Sequence, residues 1–182
     1  HRGRLLLLAT SAQRRSLLST MSASSMGLAE VAGNATTTEE LQACKIGGCC
    51  GKDTPLLPAA EVNSRLGSLP LWSLSDDGKA ISRSLTAKNW ASAMAFINSL
   101  SELAEEEGHH PDVHLTNWRD VRVVLSTHAI GGLSMPDLVL AAKLDAIPVV
   151  YSPKWLRESG VGEIIAKQAE AGQKRPADGP PA

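Results

Sequence analysis

Aromatic side chains are nearly missing from this chain, whose 182 residues include four Trp but one Tyr and one Phe. That scarcity speaks against a stacking platform for single-stranded nucleic acid. Charge of either sign is not in excess: 18 basic residues face 19 acidic ones, a formal charge of −1. No electrostatic case follows for nucleic acid or an anionic membrane surface as partner. Long apolar runs are absent too. The run from Leu5 to Ala9 falls far short of the roughly 20 residues that cross a bilayer. The three cysteines, Cys44, Cys49 and Cys50, all lie in "CKIGGCCGKD". They are too close together to staple a domain, their odd number suggests no disulfide framework, and no histidine nearby completes a zinc site. A flexible, reduced cluster is the expectation.

Acidic residues are missing ahead of Glu30, where Arg2, Arg4, Arg14 and Arg15 stand among Ser, Ala and Leu. That composition predicts an organellar targeting segment over 1–29, with the mitochondrial matrix ahead of the chloroplast stroma. Translation from Met21 would instead make the protein cytoplasmic. Residues 30–52 show no apolar period and read as a flexible linker carrying the cysteines. A domain is expected over 53–150, and 151–182 reads as an extension, partly helical and then disordered.

Within the domain, "LLPAAEVNSRL" sets Leu57, Val62 and Leu66 near one helical face behind Pro58. "LWSLSDDGKAISRSL" has two alternating runs around Asp-Gly, a hairpin signal. Next, Trp90, Met94, Ile97, Leu100 and Leu103 or Ala104 recur at helical spacing, with Thr86 as N-cap and Gly108 as a left-handed C-cap. "VHLTN" and "VRVVLST" form a second hairpin, and a last helix begins at Ser134 with Asp137 at capping-box spacing and Leu133 and Leu138 as a staple. The predicted fold is α+β: a two-layer sandwich of a four-stranded antiparallel sheet with helices packed on one face.

The stretch "EEEGHHPDVHLTNW" carries the chemistry. If Val113 and Leu115 share a face with Val121, Val123 and Leu125, hairpin parity is fixed. A loop of Trp118 to Asp120 then pairs Leu115 with Val123, Val113 with Leu125 and His110 with His128; a two-residue shift still leaves His109 and His110 near His128. Pro111 biases His110 toward extended backbone. Three imidazoles at the open end of one hairpin suit general acid–base work. Glu105, Glu106 and Glu107 stand at the negative end of the helix dipole, where nearby imidazolium would offset them. A zinc site is the competing reading, but no Cys or carboxylate completes a tetrahedron. Solvated surface histidines are the bland one, and His114 fits it best.

Glu105, His109-His110-Pro111, Trp118, His128 and Asp137, at these spacings, resemble the signature of pterin-4a-carbinolamine dehydratases. The resemblance runs from about Asp53 to Ile147 and is closest to the plant and algal branch, with "EGHHPD.HL" and "THAIGGL". It implies dehydration of 4a-hydroxytetrahydrobiopterin, or a related 4a-hydroxytetrahydropterin, to the quinonoid dihydropterin without metal or organic cofactor. It also implies His109, His110 and His128 as catalytic residues. By the same resemblance Asp112 and Asp137 match acidic positions lining or bordering the substrate pocket, Glu105 matches the signature carboxylate there, and Trp118 would replace the stacking aromatic that Val113 removes only if its ring reaches that pocket. Pro136 stands where animal relatives carry a basic residue. Family members form homodimers and homotetramers. The alternative is a non-catalytic binding protein on the same scaffold, of the RuBisCO-assembly type, whose histidines are eroded where these are intact.

Overall fold

The computed structural model describes residues 37–44, 46 and 51–173; the expected targeting segment, Cys49, Cys50 and the last residues lie outside the described residues. The elements run α1 (Thr38–Ala43), α2 (Ala59–Leu66), β1 (Ser73–Leu74), β2 (Ile81–Thr86), α3 (Trp90–Glu107), β3 (Asp112–Thr116) and β4 (Asp120–Leu125). A short 3-10 turn, His128–Ile130, leads into α4 (Met135–Asp145), α5 (Pro153–Ser159) and α6 (Val161–Gln173). The four strands form one antiparallel sheet in the order β1-β2-β4-β3. This is the expected α+β arrangement, with α3 as the crossover between two hairpins. No helix among the described residues is long and apolar enough to cross a membrane.

Strand alternation puts Ile81 and Leu85 of β2 and Val121, Val123 and Leu125 of β4 into the core. The edge strand β3 stays more open: Leu115 is only half-buried, and Val113 is exposed. The second hairpin closes two residues away from the predicted register. Thr116 pairs with Asp120, Leu115 with Val121 and Val113 with Val123, so the loop is Asn117 to Arg119. Asn117 and Trp118 take φ of 46° and 60°, the left-handed sequence of primed hairpin turns. Asp120 is kept in the strand because its carboxylate accepts from Thr86 Oγ1 at 2.7 Å and Asn117 Nδ2 at 3.1 Å. Parity survived the shift, but the residue pairs did not.

The long helix also differs from expectation in its start and its buried stripe. Thr86 is occupied in β2, so Asn89 is the N-cap, its Oδ1 accepting from Ser92 N at 2.9 Å. Ala93, Phe96, Leu100 and Ala104 face the core, and Trp90 is exposed. Adjacent stripes of this helix satisfy the same spacing, so periodicity alone does not choose between them.

Part of the expected linker is structure. Thr37 caps α1 and Leu41 is fully buried against α4. The physical reason lies in α4, where Leu138 to Ala142 and Leu144 are all buried. A helix apolar all round needs cover on two sides; the core supplies one and α1 the other.

Arg83, on the core face of β2, is the other surprise. Its Nη1 meets Asp145 Oδ1 at 2.8 Å and its Nη2 donates to Tyr151 Oη at 2.6 Å, while Trp72 Nε1 donates to the same Asp145 oxygen at 2.9 Å. Together with backbone bonds from Ser152 N to Thr86 O and Lys88 N to Val150 O, this clasps the C-terminal extension to β2. Asp145 Oδ2 is buried and has no hydrogen-bond partner among the described residues, and burial pushes the Asp145 carboxyl from 3.8 up to about 6 against the pull of Arg83. A raised folded-state value means the native protein holds this proton more tightly than the unfolded chain. The contribution is present below about 3.8 and is lost as pH rises through about 6. Denaturant unfolding of wild type and Asp145→Asn should therefore show the wild-type advantage shrinking from pH 4 to pH 7; an advantage that grows over that range would contradict the assignment.

Candidate active site

Three pieces of backbone converge at the open end of the second hairpin. The first is the end of α3. Gly108 takes φ 65° and ψ 27°, its N–H reaches Glu105 O at 3.2 Å, and His109 N–H reaches Ala104 O at 3.1 Å. This pair of bonds is a Schellman turn, which only a residue tolerant of positive φ closes without strain. It fixes His109 and His110 relative to the helix. The second piece follows β4, where Thr127 and Gly132 pair and Gly131 takes φ 65°, folding the chain into a tight loop that starts at His128. The third is the N-terminus of α4.

Asp137 joins the three. It is fully buried, and its Oδ2 accepts from Thr127 Oγ1 and Ser134 N, both at 2.8 Å, and from Ser134 Oγ at 3.2 Å. Its Oδ1 lies 2.8 Å from His109 Nε2, and His109 is only 3% exposed. A carboxylate surrounded by donors acts as acceptor, so Nε2 carries the proton of the neutral ring and Nδ1 is its basic nitrogen.

The other two imidazoles sit at the surface. His110 Nε2 is 3.1 Å from Glu105 Oε1, and His128 Nε2 is 3.6 Å from Asp112 Oδ2. All four of these side chains are exposed. Between them opens a cavity of about 370 Å³. His109, His110 and His128 line it, with Gly108, Ser126, Thr127 and Ala129. One oriented, buried imidazole beneath two accessible ones, each beside a carboxylate, can exchange protons with a bound polar substrate. Among the described residues no group of His, Cys, Asp or Glu is disposed to hold a metal ion.

The expected residues do not all gather here. Extending the observed register puts Ser126, not His128, across from His110, and His128 reaches the cavity from the turn beyond the strand. Trp118 is at the closed end of the hairpin, eight residues from His110 and from Ser126, roughly 25 Å away at strand rise. Its exposed ring lies under the Arg119 guanidinium at 4.7 Å. It therefore does not serve this cavity, because the loop that holds it points the other way. Asp137 is present but touches His109 rather than the open space. Thr127 was not anticipated, although the alternation of Val121, Val123 and Leu125 continues to it. A hydroxyl on a core-facing position calls for a buried partner, and Asp137 is that partner.

The family model described as pterin 4 alpha carbinolamine dehydratase matches residues 55–147. A protein of Aromatoleum aromaticum whose name carries the same designation is 43% identical over 110 residues, covering 60% of this chain and 96% of that protein. Pterin-4-alpha-carbinolamine dehydratase 2, mitochondrial, of Arabidopsis thaliana is 35% identical over 103 residues, covering 56% of this chain and 55% of that protein. Among solved structures, a transcriptional coactivator/pterin dehydratase from Brucella melitensis aligns with a TM-score of 0.48 and 32% identity, over 50% of this chain and 97% of that one.

Proposed function

Since this chain belongs to the pterin 4 alpha carbinolamine dehydratase family, a family of hydro-lyases, we propose that it dehydrates a 4a-hydroxytetrahydropterin, 4a-hydroxytetrahydrobiopterin first, by histidine acid–base catalysis. The observation that carries this reading is the cavity that His109, His110 and His128 line together. The elimination is redox-neutral. One imidazolium protonates the 4a-hydroxyl, the C4a–O bond breaks as water leaves, and the N5 lone pair forms the C4a=N5 bond. A neutral imidazole then takes the N5 proton, giving the quinonoid dihydropterin and resetting the proton count.

In this scheme His109, oriented by Asp137, and His128, beside Asp112, divide the acid and base roles. His110 and Glu105 at the mouth, together with Asp112, hold the pterin through its ring N–H and amino groups. Purified protein should turn over 4a-hydroxytetrahydropterin, and His109→Ala and His128→Ala should each lower kcat by about a hundredfold or more, the usual weight of a positioned proton donor or acceptor. Equal rates in wild type and both variants would remove the reading.

The working form is a homodimer or homotetramer in the mitochondrial matrix. The outward edges of the two outer strands, β1 and β3, have no neighbouring strand among the described residues, and an open edge is a ready site for pairing with a second copy. The arginine-bearing, acid-free composition of 1–29 and the mitochondrial name of the Arabidopsis relative support the location. Protein recovered from a matrix fraction should scatter light as two or four chains; cytosolic protein beginning at Met21, or a single-chain mass, would contradict the respective half of this statement.

A further inference from the structure

Glu107 ends α3 immediately before Gly108 and His109. It is a buried carboxylate at a helix C-terminus, where unpaired carbonyls and the helix dipole both disfavour negative charge. Burial there is unfavourable unless partners surround the group. The partners come from two other elements. Lys143 Nζ on α4 pairs with Oε1, and the backbone N–H of Ile46 donates to Oε2 at 3.2 Å.

Ile46 follows α1, and α1 is fastened independently. Leu41 is in the core, Gln42 Nε2 donates to Ala142 O at 2.8 Å, and Thr38 Oγ1 donates to Ser68 O. Residues 37–44 and 46 thus form a strap laid over α4 that ends on Glu107, ahead of the family-matched residues 55–147. The end of α3 is consequently pinned to α4 twice, by Glu107 to Lys143 and by His109 to Asp137. The Schellman turn couples the two pins, because Gly108 and His109 hang from the carbonyls of Glu105 and Ala104.

We propose that Glu107 is a positioning residue for the His109–His110 pair, and that the strap bearing Ile46 is part of the catalytic scaffold. Freeing the carboxylate loosens the last turn of α3, and the imidazole moves with it. Displacements of about 1 Å at a reacting group lower rates by around a hundredfold. The consequence for turnover rests on the dehydratase reading; the consequence for the His109 ring does not.

The test compares Glu107→Ala and Glu107→Gln in the full chain, assayed well below the unfolding midpoint of each. The glutamine keeps an oxygen for Ile46 N–H, and the alanine keeps none. Glu107→Ala should lower kcat at least tenfold with KM within twofold, and Glu107→Gln should recover to within threefold of wild type. By NMR, the His109 Nε2 proton should exchange with solvent at least tenfold faster in Glu107→Ala than in wild type or Glu107→Gln. An unchanged exchange rate and kcat in Glu107→Ala, or a loss that only tracks the unfolded fraction, would overturn the proposal. Glutamine behaving like alanine would assign the effect to Lys143 alone and remove the strap's part. Should wild type show no turnover, the dehydratase reading falls while the imidazole signal still decides the positioning claim.

Discussion

One buried carboxylate organises this end of the molecule. Asp137 caps α4 through Ser134 N–H, takes the Thr127 hydroxyl from the chain leaving β4, and holds His109 as it leaves α3. A fully buried Asp surrounded by donors is tolerated because its oxygens are used, and removing one partner of such a buried pair typically destabilises by about 3–5 kcal/mol. The same contacts set the ring angle of His109 and which of its nitrogens is basic. Helix capping, the attachment of the hairpin and the orientation of the His109 ring are therefore one interaction, not three. His110 and His128 need no such support and stand in solvent, where a substrate can reach them.

Much of this was legible in the sequence, and the failures have specific causes. The parity of Val113, Leu115, Val121, Val123 and Leu125 placed the histidines at one end of the hairpin, because the side-chain period of a strand is two. Parity does not count residues in a loop, however, and the register came out two residues away. Nothing in "NWRD" resembles the Asn-Gly that normally announces two positive φ values. Asp137 was recognisable as a cap, and its second role toward His109 was visible only once α3 and α4 were set side by side. Neither Thr127 nor Glu107 announces its burial in the sequence, since the alternation of β4 and the stripe of α3 mark apolar positions and do not reveal a polar side chain that finds buried partners.

The flanks of the domain carry the other lesson. The run "LVLAA" in α4 is apolar and buried throughout and so demanded cover from beyond the sheet, which α1 provides. Read locally, residues 30–52 have no period, because a helix of six residues needs only Leu41 to anchor it. Arg83 likewise looked like an ordinary strand residue, yet it joins Asp145, Tyr151 and Trp72 across the core. Both flanking segments are tied down by contacts with the folded unit, apolar through Leu41 and polar through Gln42 and Tyr151, a kind of order that composition does not report.

The most direct test of the account is a crystal structure of the protein soaked with dihydrobiopterin, a stable reduced pterin. The prediction is a pterin ring within hydrogen-bond distance of the imidazoles of His109, His110 and His128, with Asp137 still on His109 and out of reach of the ligand. A ring bound elsewhere, or a His128 imidazole turned away from the His109–His110 pair with the ligand in place, would contradict it.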